Sequence, residues 1–291
     1  MTRTMEHAGW RRVLAMAVTL AVALAPIAGM TGWAQAAGSK STSKSTSKSS
    51  SSSSDDFEWS GTIASGKSIE IKGINGGIEV EPVTGTETKV SAEKSAHKSD
   101  PDEVTIEVIE HEGSVTICAK YPSPKGQRPN ECGPGESGHS NTHNNDVEVE
   151  FRVQVPAGVA FVGRTVNGDI RAYGLKGGAE AYTVNGSIKL STRGVAQATT
   201  VNGSIDAEMG LPAGDEIEFE SVNGGITLTM PESSGANVDA STVNGDISTD
   251  FPLTVRGKFG PRSLHGTIGK GGPAIKMSTV NGSIRLRTAT S

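Results

Sequence analysis

The sequence predicts an all-β, repetitive domain of the β-solenoid kind, with about 16–21 residues per repeat. Three observations predict it. An Asn-Gly corner pentad occurs eight times, once with His in place of Asn, glycine is abundant at 37 residues while aromatics are only 4%, and the runs between turns alternate apolar with charged residues. A glycine-rich, aromatic-poor chain suits turn-rich sheet better than helical packing. Past residue 37 the runs are short and broken by Gly or Pro, so no helix is expected there.

The repeat carries most of the information. Its clear copies are Val166-Asn167-Gly168-Asp169-Ile170, Val184-Asn185-Gly186-Ser187-Ile188, Val201-Asn202-Gly203-Ser204-Ile205, Val222-Asn223-Gly224-Gly225-Ile226, Val243-Asn244-Gly245-Asp246-Ile247 and Val280-Asn281-Gly282-Ser283-Ile284. Leu264-His265-Gly266-Thr267-Ile268 is a degenerate copy, and Ile74-Asn75-Gly76-Gly77-Ile78 an isolated early one. From Asn167 the spacings are 18, 17, 21, 21, 21 and 16 residues. A period near twenty residues is the signature of stacked supersecondary units.

Side-chain parity before each Asn suggests how the units are wound. Ile217, Phe219, Ser221 and Asn223 share one face of an extended strand, as do Val238, Ala240, Thr242 and Asn244, and Ile275, Met277, Thr279 and Asn281. After the glycine, Ile188 with Leu190, Ile226 with Leu228 and Ile284 with Leu286 form a second inward pair. Two strands per repeat, joined at the Asn-Gly, would then wrap the core. In a solenoid, like residues stack about 4.8 Å apart and the asparagines form an inward amide ladder. In an antiparallel meander or sandwich, each Asn-Gly is a type I′ hairpin turn. The solenoid is preferred, because stacking rewards identical residues at one phase. The Val before each Asn has the opposite parity, so either it forms an outward apolar row or the corner breaks the alternation.

Upstream, Ser68–Lys72, Val104–Val108, Ser114–Ile117 and Val147–Val153 alternate as half-buried strands. The N-terminus reads as an export signal over residues 1–37. Arg3, Arg11 and Arg12 precede an apolar run from Val13 to Ile27, and Ala34-Gln35-Ala36 is a small-x-small cleavage site, placing the cut between Ala36 and Ala37. The competing reading is a retained membrane anchor. No cysteine follows the apolar run, which excludes a lipoprotein. Residues 38–56 are nearly all Ser, Thr and Lys, a flexible tether with a reach of roughly 25 Å. Residues 57–291 then form the β-strand-repeat domain.

Removing residues 1–37 takes Lys+Arg from 27 to 24 and Asp+Glu from 32 to 31, a net charge of −7. An acidic surface without a basic stripe argues against nucleic acid and anionic lipid as partners. Past the signal, no further membrane span is expected. The two cysteines, Cys118 and Cys132, are expected to form a disulfide in an exported chain. It closes a loop of about 15 residues, worth roughly 3 kcal/mol, within an insertion at 119–146.

The recurring Thr-Val-Asn-Gly-[Ser/Asp]-Ile, preceded by Val155-Pro156-Ala157-Gly158-Val159, resembles the bacterial putative-adhesin β-strand-repeat family, whose function is unknown. The resemblance covers roughly residues 60–288. It implies an exported, solenoid-like, non-enzymatic envelope protein with no catalytic residues to transfer. The chain departs from the pattern at His265 and in the Cys118–His143 insertion.

Candidate chemical sites are weak. Cys118, Cys132, His139 and His143 share a segment, but the 13 residues between the cysteines do not suit a zinc knuckle. Asp169 and Asp246 follow their glycines and suggest calcium, yet Ser187, Ser204, Gly225, Thr267 and Ser283 fill the same slot, so it selects small polar corner residues. Neither metal nor cofactor is expected. A β-helical polysaccharide-active enzyme would need acids and bases gathered on one face. The position after each Ile instead reads Glu79, Arg171, Lys189, Asp206, Thr227, Ser248, Gly269 and Arg285, a mixed solvated row. Trp59 is the only Trp beyond the signal, a poor supply for sugar stacking. His97 and His111 read as surface positions. The expectation is a non-catalytic protein, periplasmic, surface-bound or secreted, that binds an envelope protein or polysaccharide or serves as a scaffold. An envelope-stress sensor is the alternative.

Overall fold

The computed structural model divides the chain into two units, Met1–Ser52 and Ser53–Ser291. It describes residues 57–214, 216–255 and 262–289, all in the second unit. The expected signal, its cleavage site at Ala36 and Ala37, and the tether lie outside the described residues.

The first strands are β1 (Phe57–Thr62), β2 (Ser68–Lys72), β3 (Ile78–Val83), β4 (Glu87–Ser95), β5 (Thr105–His111), β6 (Ser114–Lys120) and β7 (Glu148–Pro156). The repeats follow as β8 (Ala160–Arg164), β9 (Ile170–Leu175), β10 (Ala179–Tyr182), β11 (Ile188–Thr192), β12 (Ala196–Asn202), β13 (Ile205–Glu208), β14 (Glu216–Asn223) and β15 (Ile226–Met230). The chain ends with β16 (Ala236–Asn244), β17 (Ile247–Thr249), β18 (Leu253–Val255), β19 (Ser263–Ile268), β20 (Ala274–Asn281) and β21 (Ile284–Thr288). A single 3₁₀ turn at Pro101–Glu103, capped by the Asp100 carboxylate, is the one helical element among the described residues.

These strands form two open sheets. One runs β1-β4-β7-β3-β9-β11-β13-β15-β21-β17 and the other β18-β19-β16-β20-β14-β12-β10-β8-β2-β6-β5. Each repeat contributes one strand to each sheet, with the Asn-Gly corner between them. Inside the stack the neighbours are parallel, as in Ile188↔Ile205 and Ile205↔Ile226. This is the solenoid-like winding, not the meander. The stack is closed at its ends by antiparallel pairs, β1 on β4, β5 on β6, and β18 on β19.

One core lies between the sheets. Ile170, Ile188, Ile205, Ile226 and Ile284 line it from one side, and Ala181, Ala198, Phe219 and Met277 from the other, each 1% exposed or less. The alternation seen in the sequence is the alternation of burial. In β14, Ile217, Phe219 and Ser221 are buried while the residues between them are not.

Stacking order departs from chain order at both ends. The β2–β3 rung sits between the β6–β7 rung and the β8–β9 rung. At the other end, β20 lies between β14 and β16, and β21 between β15 and β17. The chain therefore leaves one rung vacant after β15 and fills it with its last strands. The sequence period carries no signal for this, because equivalent repeats offer equivalent registers.

Candidate functional site

The corner where the repeats turn from one sheet to the other is the most distinctive surface of the domain. Seven asparagines form a continuous amide ladder along it. The Nδ2 donates to the Oδ1 of the next rung from Asn167 to Asn75, Asn185 to Asn167, Asn202 to Asn185 and Asn223 to Asn202, each at 2.8 Å. Asn281 donates to Asn223 at 2.7 Å, and Asn244 to Asn281 at 2.8 Å.

The ladder faces outward, which corrects the inward placement expected from parity. Asn167, Asn185, Asn202, Asn223, Asn244 and Asn281 are all exposed. The cause is in the backbone. The N–H groups of Val166 and Asn167 both reach the Ile74 carbonyl, at 3.1 and 2.7 Å, and those of Val184 and Asn185 both reach the Val166 carbonyl, at 3.3 and 2.7 Å. Two consecutive donors on one acceptor are the hydrogen-bond pattern of a bulge, which interrupts the two-residue alternation. Val and Asn then both point out. The two readings offered for the Val are thus both right: the corner breaks the alternation and an outward apolar row results. Val166, Val184, Val280 and Val243 are 37%, 38%, 39% and 55% exposed, and Val201 and Val222 are half-buried.

The residue just before the Val carries the inward bond instead. The buried hydroxyl of Thr165 donates to the Gly76 carbonyl at 3.0 Å, Thr183 to Gly168 at 3.0 Å and Thr200 to Gly186 at 2.9 Å. Ser221 donates to Gly203 at 3.0 Å, Thr279 to Gly224 at 2.8 Å and Thr242 to Gly282 at 2.8 Å. This hydroxyl ladder was present in the sequence as a small residue two places before each Asn, but its role needed the stacked neighbour.

The glycines are required for a reason other than turn geometry. Of the corner glycines only Gly76 has a positive φ, at 109°. A Cβ on Gly168, Gly186, Gly203, Gly224, Gly245 or Gly282 would lie 1.9–2.1 Å from the glycine carbonyl oxygen of the adjacent rung. No side chain fits such a column. A second column lines the opposite turn, where a Cβ on Gly177, Gly194 or Gly210 would lie 2.0–2.5 Å from a backbone carbonyl oxygen.

His265 and Gly266 are not part of this device. Their strand, β19, runs antiparallel to β16, with Asp239 opposite His265 and Val238 opposite Gly266. His265 Nδ1 lies 3.1 Å from an Asp239 carboxylate oxygen. A Cβ on Gly266 would meet the Leu253 side chain at 3.4 Å, an ordinary contact. The degenerate pentad matched the composition of a corner but lies within a strand.

In the slot after the glycine, the Asp169 side chain meets the backbone of the adjacent rung. Asp169 accepts from the Ser187 N–H at 2.8 Å and pairs with Arg171 at 2.5 Å. Among the described residues, no group of three or more His, Cys, Asp or Glu is placed to hold a metal ion.

The insertion covers one end of the ladder. Asn75, on the first rung, donates its side-chain amide to the Val147 carbonyl at 3.3 Å. The Tyr121 hydroxyl accepts from the Asn75 N–H at 3.3 Å and donates to the Val147 carbonyl at 2.8 Å. Burial pushes the Tyr121 hydroxyl up to about 12. Asp146, at the far end of the same segment, is held down at about 2 by the Ser99 N–H and hydroxyl and the Lys98 N–H.

The disulfide joins Cys118 to Cys132 with the Cα atoms 5.8 Å apart, tying the insertion onto β6. Beneath it lies a buried charge, Glu70, 5% exposed. Its carboxylate accepts from Arg164 Nε at 2.8 Å, the Thr116 hydroxyl at 3.0 Å and the Gly135 N–H at 2.8 Å. The Arg164 guanidinium also stacks on Tyr182, 4.2 Å from the ring centroid. His111 touches Thr116 at 2.9 Å and so borders this network, although it had read as a plain surface residue. Lys72 donates to the Gly133 and Ser137 carbonyls, and burial lowers its pKa. Glu70 thus anchors the insertion as well as the pair. Glu70→Ala is expected to cost about 1–3 kcal/mol, because Arg164 Nε, the Thr116 hydroxyl and the Gly135 N–H lose their shared carboxylate acceptor. Chemical denaturation would measure the loss, and hydrogen exchange over 131–139 should speed up if the Gly135 anchor matters.

With corner, columns and capped end described, the relationship is decided by a family profile, which matches residues 38–287. The chain belongs to the Toastrack DUF4097 family. The solved structures that this Toastrack chain is similar to include a putative cell adhesion protein from Clostridium sporogenes ATCC 15579, at 12% identity and TM-score 0.47, covering 81% of this chain and 100% of that one. A putative adhesin from Bacteroides fragilis NCTC 9343 shares 14% identity at TM-score 0.33, covering 81% and 98%. No curated protein matches the chain.

On the outer face of this Toastrack domain the row after each Ile runs Glu79, Arg171, Lys189, Asp206, Thr227, Arg285 and Ser248 in stack order. Gly269 is absent from it, since it follows β19. The first four positions carry charges of both signs, Thr227 and Ser248 flank Arg285, and no carboxylate pair stands on adjacent rungs of this row.

Proposed function

We propose that the protein is an exported, non-catalytic component of the cell envelope that binds a protein partner along the Asn-Gly corner. The reading rests on the exposed valine row. Single exposed aliphatics are ordinary, but contiguous ones mark interaction surfaces. Val166, Val184, Val201, Val222, Val280 and Val243 occupy six consecutive rungs, a ridge roughly 24 Å long at the strand spacing of a sheet. Beside it runs the amide ladder, where each link uses one of the two Nδ2 hydrogens and leaves the other facing outward. An aliphatic ridge flanked by amides suits a protein surface better than a sugar, which favours aromatic platforms.

The test is a cross-linking pull-down from intact cells with the full chain and with Val166→Lys, Val184→Lys and Val280→Lys combined. The captured protein should be lost from the triple variant, while its unfolding midpoint stays close to that of the parent, as expected of surface changes. Equal capture by both chains, or recovery of polysaccharide alone, would overturn the reading.

A further inference from the structure

We propose that Asn244 is a site of spontaneous modification by water, the one Asn-Gly corner in the ladder open to succinimide chemistry. An Asn-Gly sequence converts when the glycine backbone nitrogen attacks the Asn side-chain carbonyl carbon. The N–Cγ bond forms, the C–Nδ2 bond breaks and ammonia leaves. Water then opens the cyclic imide to aspartate or isoaspartate. The net change is one water consumed and one ammonia released, with no oxidant or cofactor. The glycine nitrogen must be available, and glycine is the most permissive neighbour because no side chain obstructs the ring.

The stack denies that nitrogen at six of the seven corners. The Gly76 N–H donates to the Asn167 carbonyl at 2.9 Å, and Gly168, Gly186, Gly203, Gly224 and Gly282 donate to the asparagine carbonyls of the next rung at 3.0 Å. Each of those six asparagines also has its Oδ1 occupied by the next amide. Asn244 is on the last rung. Among the described residues nothing accepts from the Gly245 N–H, and nothing donates to the Asn244 Oδ1. Asn244 is exposed, and its neighbour Val243 is the most exposed of the row at 55%. Attack at an interior corner first requires breaking those two bonds; at Asn244 no described residue makes either of them.

Conversion has a structural consequence. The Asn244 Nδ2 is the donor to Asn281 Oδ1 at 2.8 Å. Loss of that nitrogen sets a carboxylate against an acceptor and loosens the terminal rung, where β17 is only three residues long. The corner then carries a new negative charge at the end of the valine ridge.

Site-resolved peptide mapping of the folded chain during incubation at mildly alkaline pH tests this. Conversion is expected at Asn244 at least about tenfold faster than at Asn167, Asn185, Asn202 or Asn223, the factor that two net hydrogen bonds supply. In denaturant all seven corners should convert at similar rates. Asn244→Gln, whose longer side chain forms the ring poorly, should abolish the fast phase and leave the slow ones. A flat profile in the folded chain, or an Asn244 as slow as its neighbours, would refute the proposal.

Discussion

Gly203→Ala is expected to cost more than about 3 kcal/mol, although it adds a single methyl group near an exposed corner. Its Cβ would lie 1.9 Å from the Gly186 carbonyl oxygen and 2.5 Å from the carbonyl carbon. Neither atom can move away. Gly186 is held to Asn202 on the next rung, and Gly203 itself to Asn223, at 3.0 Å each. Relief would require prising the rungs apart, which breaks the amide ladder, the hydroxyl ladder and the backbone bonds together. Gly214→Ala is the control. Gly214 has φ +92° but nothing within 4 Å of its Cβ position, so the cost is the left-handed backbone alone, about 1–2 kcal/mol. Asn223→Ala should fall in the same smaller range, about 1–2 kcal/mol, since it removes two solvent-exposed amide links. Denaturant unfolding of the three variants gives the ranking. A Gly203→Ala cost no larger than the other two would mean that the column does not constrain the stack.

Ending the chain at Pro273 is expected to abolish folding. Terminal segments are normally tolerant of loss. Here the last two strands are interior rungs, β20 between β14 and β16 and β21 between β15 and β17. Their Ile275, Met277, Ile284 and Leu286 are each at most 1% exposed. Burial of four such side chains contributes roughly 2 kcal/mol apiece, which rivals the whole net stability of a domain at about 5–15 kcal/mol. Both sheets would in addition expose new unpaired edges. Removing β1 instead, an edge strand paired only with β4, should leave a domain that still melts cooperatively. Circular dichroism during heating distinguishes the two truncations. Cooperative melting of the chain ending at Pro273 would mean that β16 slides one rung to pair with β14 directly, which the shared register of Asn223, Asn281 and Asn244 makes the natural alternative.

The amino-acid pattern alone favoured the winding over a meander. Recurrence of Val-Asn-Gly-x-Ile near twenty residues, with inward pairs such as Ile217 with Phe219 and Ile188 with Leu190, points to like-on-like stacking, and the parallel pairing of the strands decided it. Burial follows side-chain chemistry directly, and parity within a strand is a local property. The Cys118–Cys132 bond was legible for a similar reason, being the one pairing two cysteines permit.

Four features were settled only when the chain closed on itself. The asparagines turned outward because two successive N–H groups share one carbonyl of another rung, an acceptor that no local pattern identifies. The glycines proved indispensable through a carbonyl oxygen on the neighbouring rung, not through their own φ. The vacant rung filled by β20 and β21, and the exclusion of His265 from the corner, depend on which repeat pairs with which. Near-identical repeats make those registers close in energy, so the choice rests on contacts between segments far apart in the chain, and it is this choice that puts Asn244 on the last rung of the ladder.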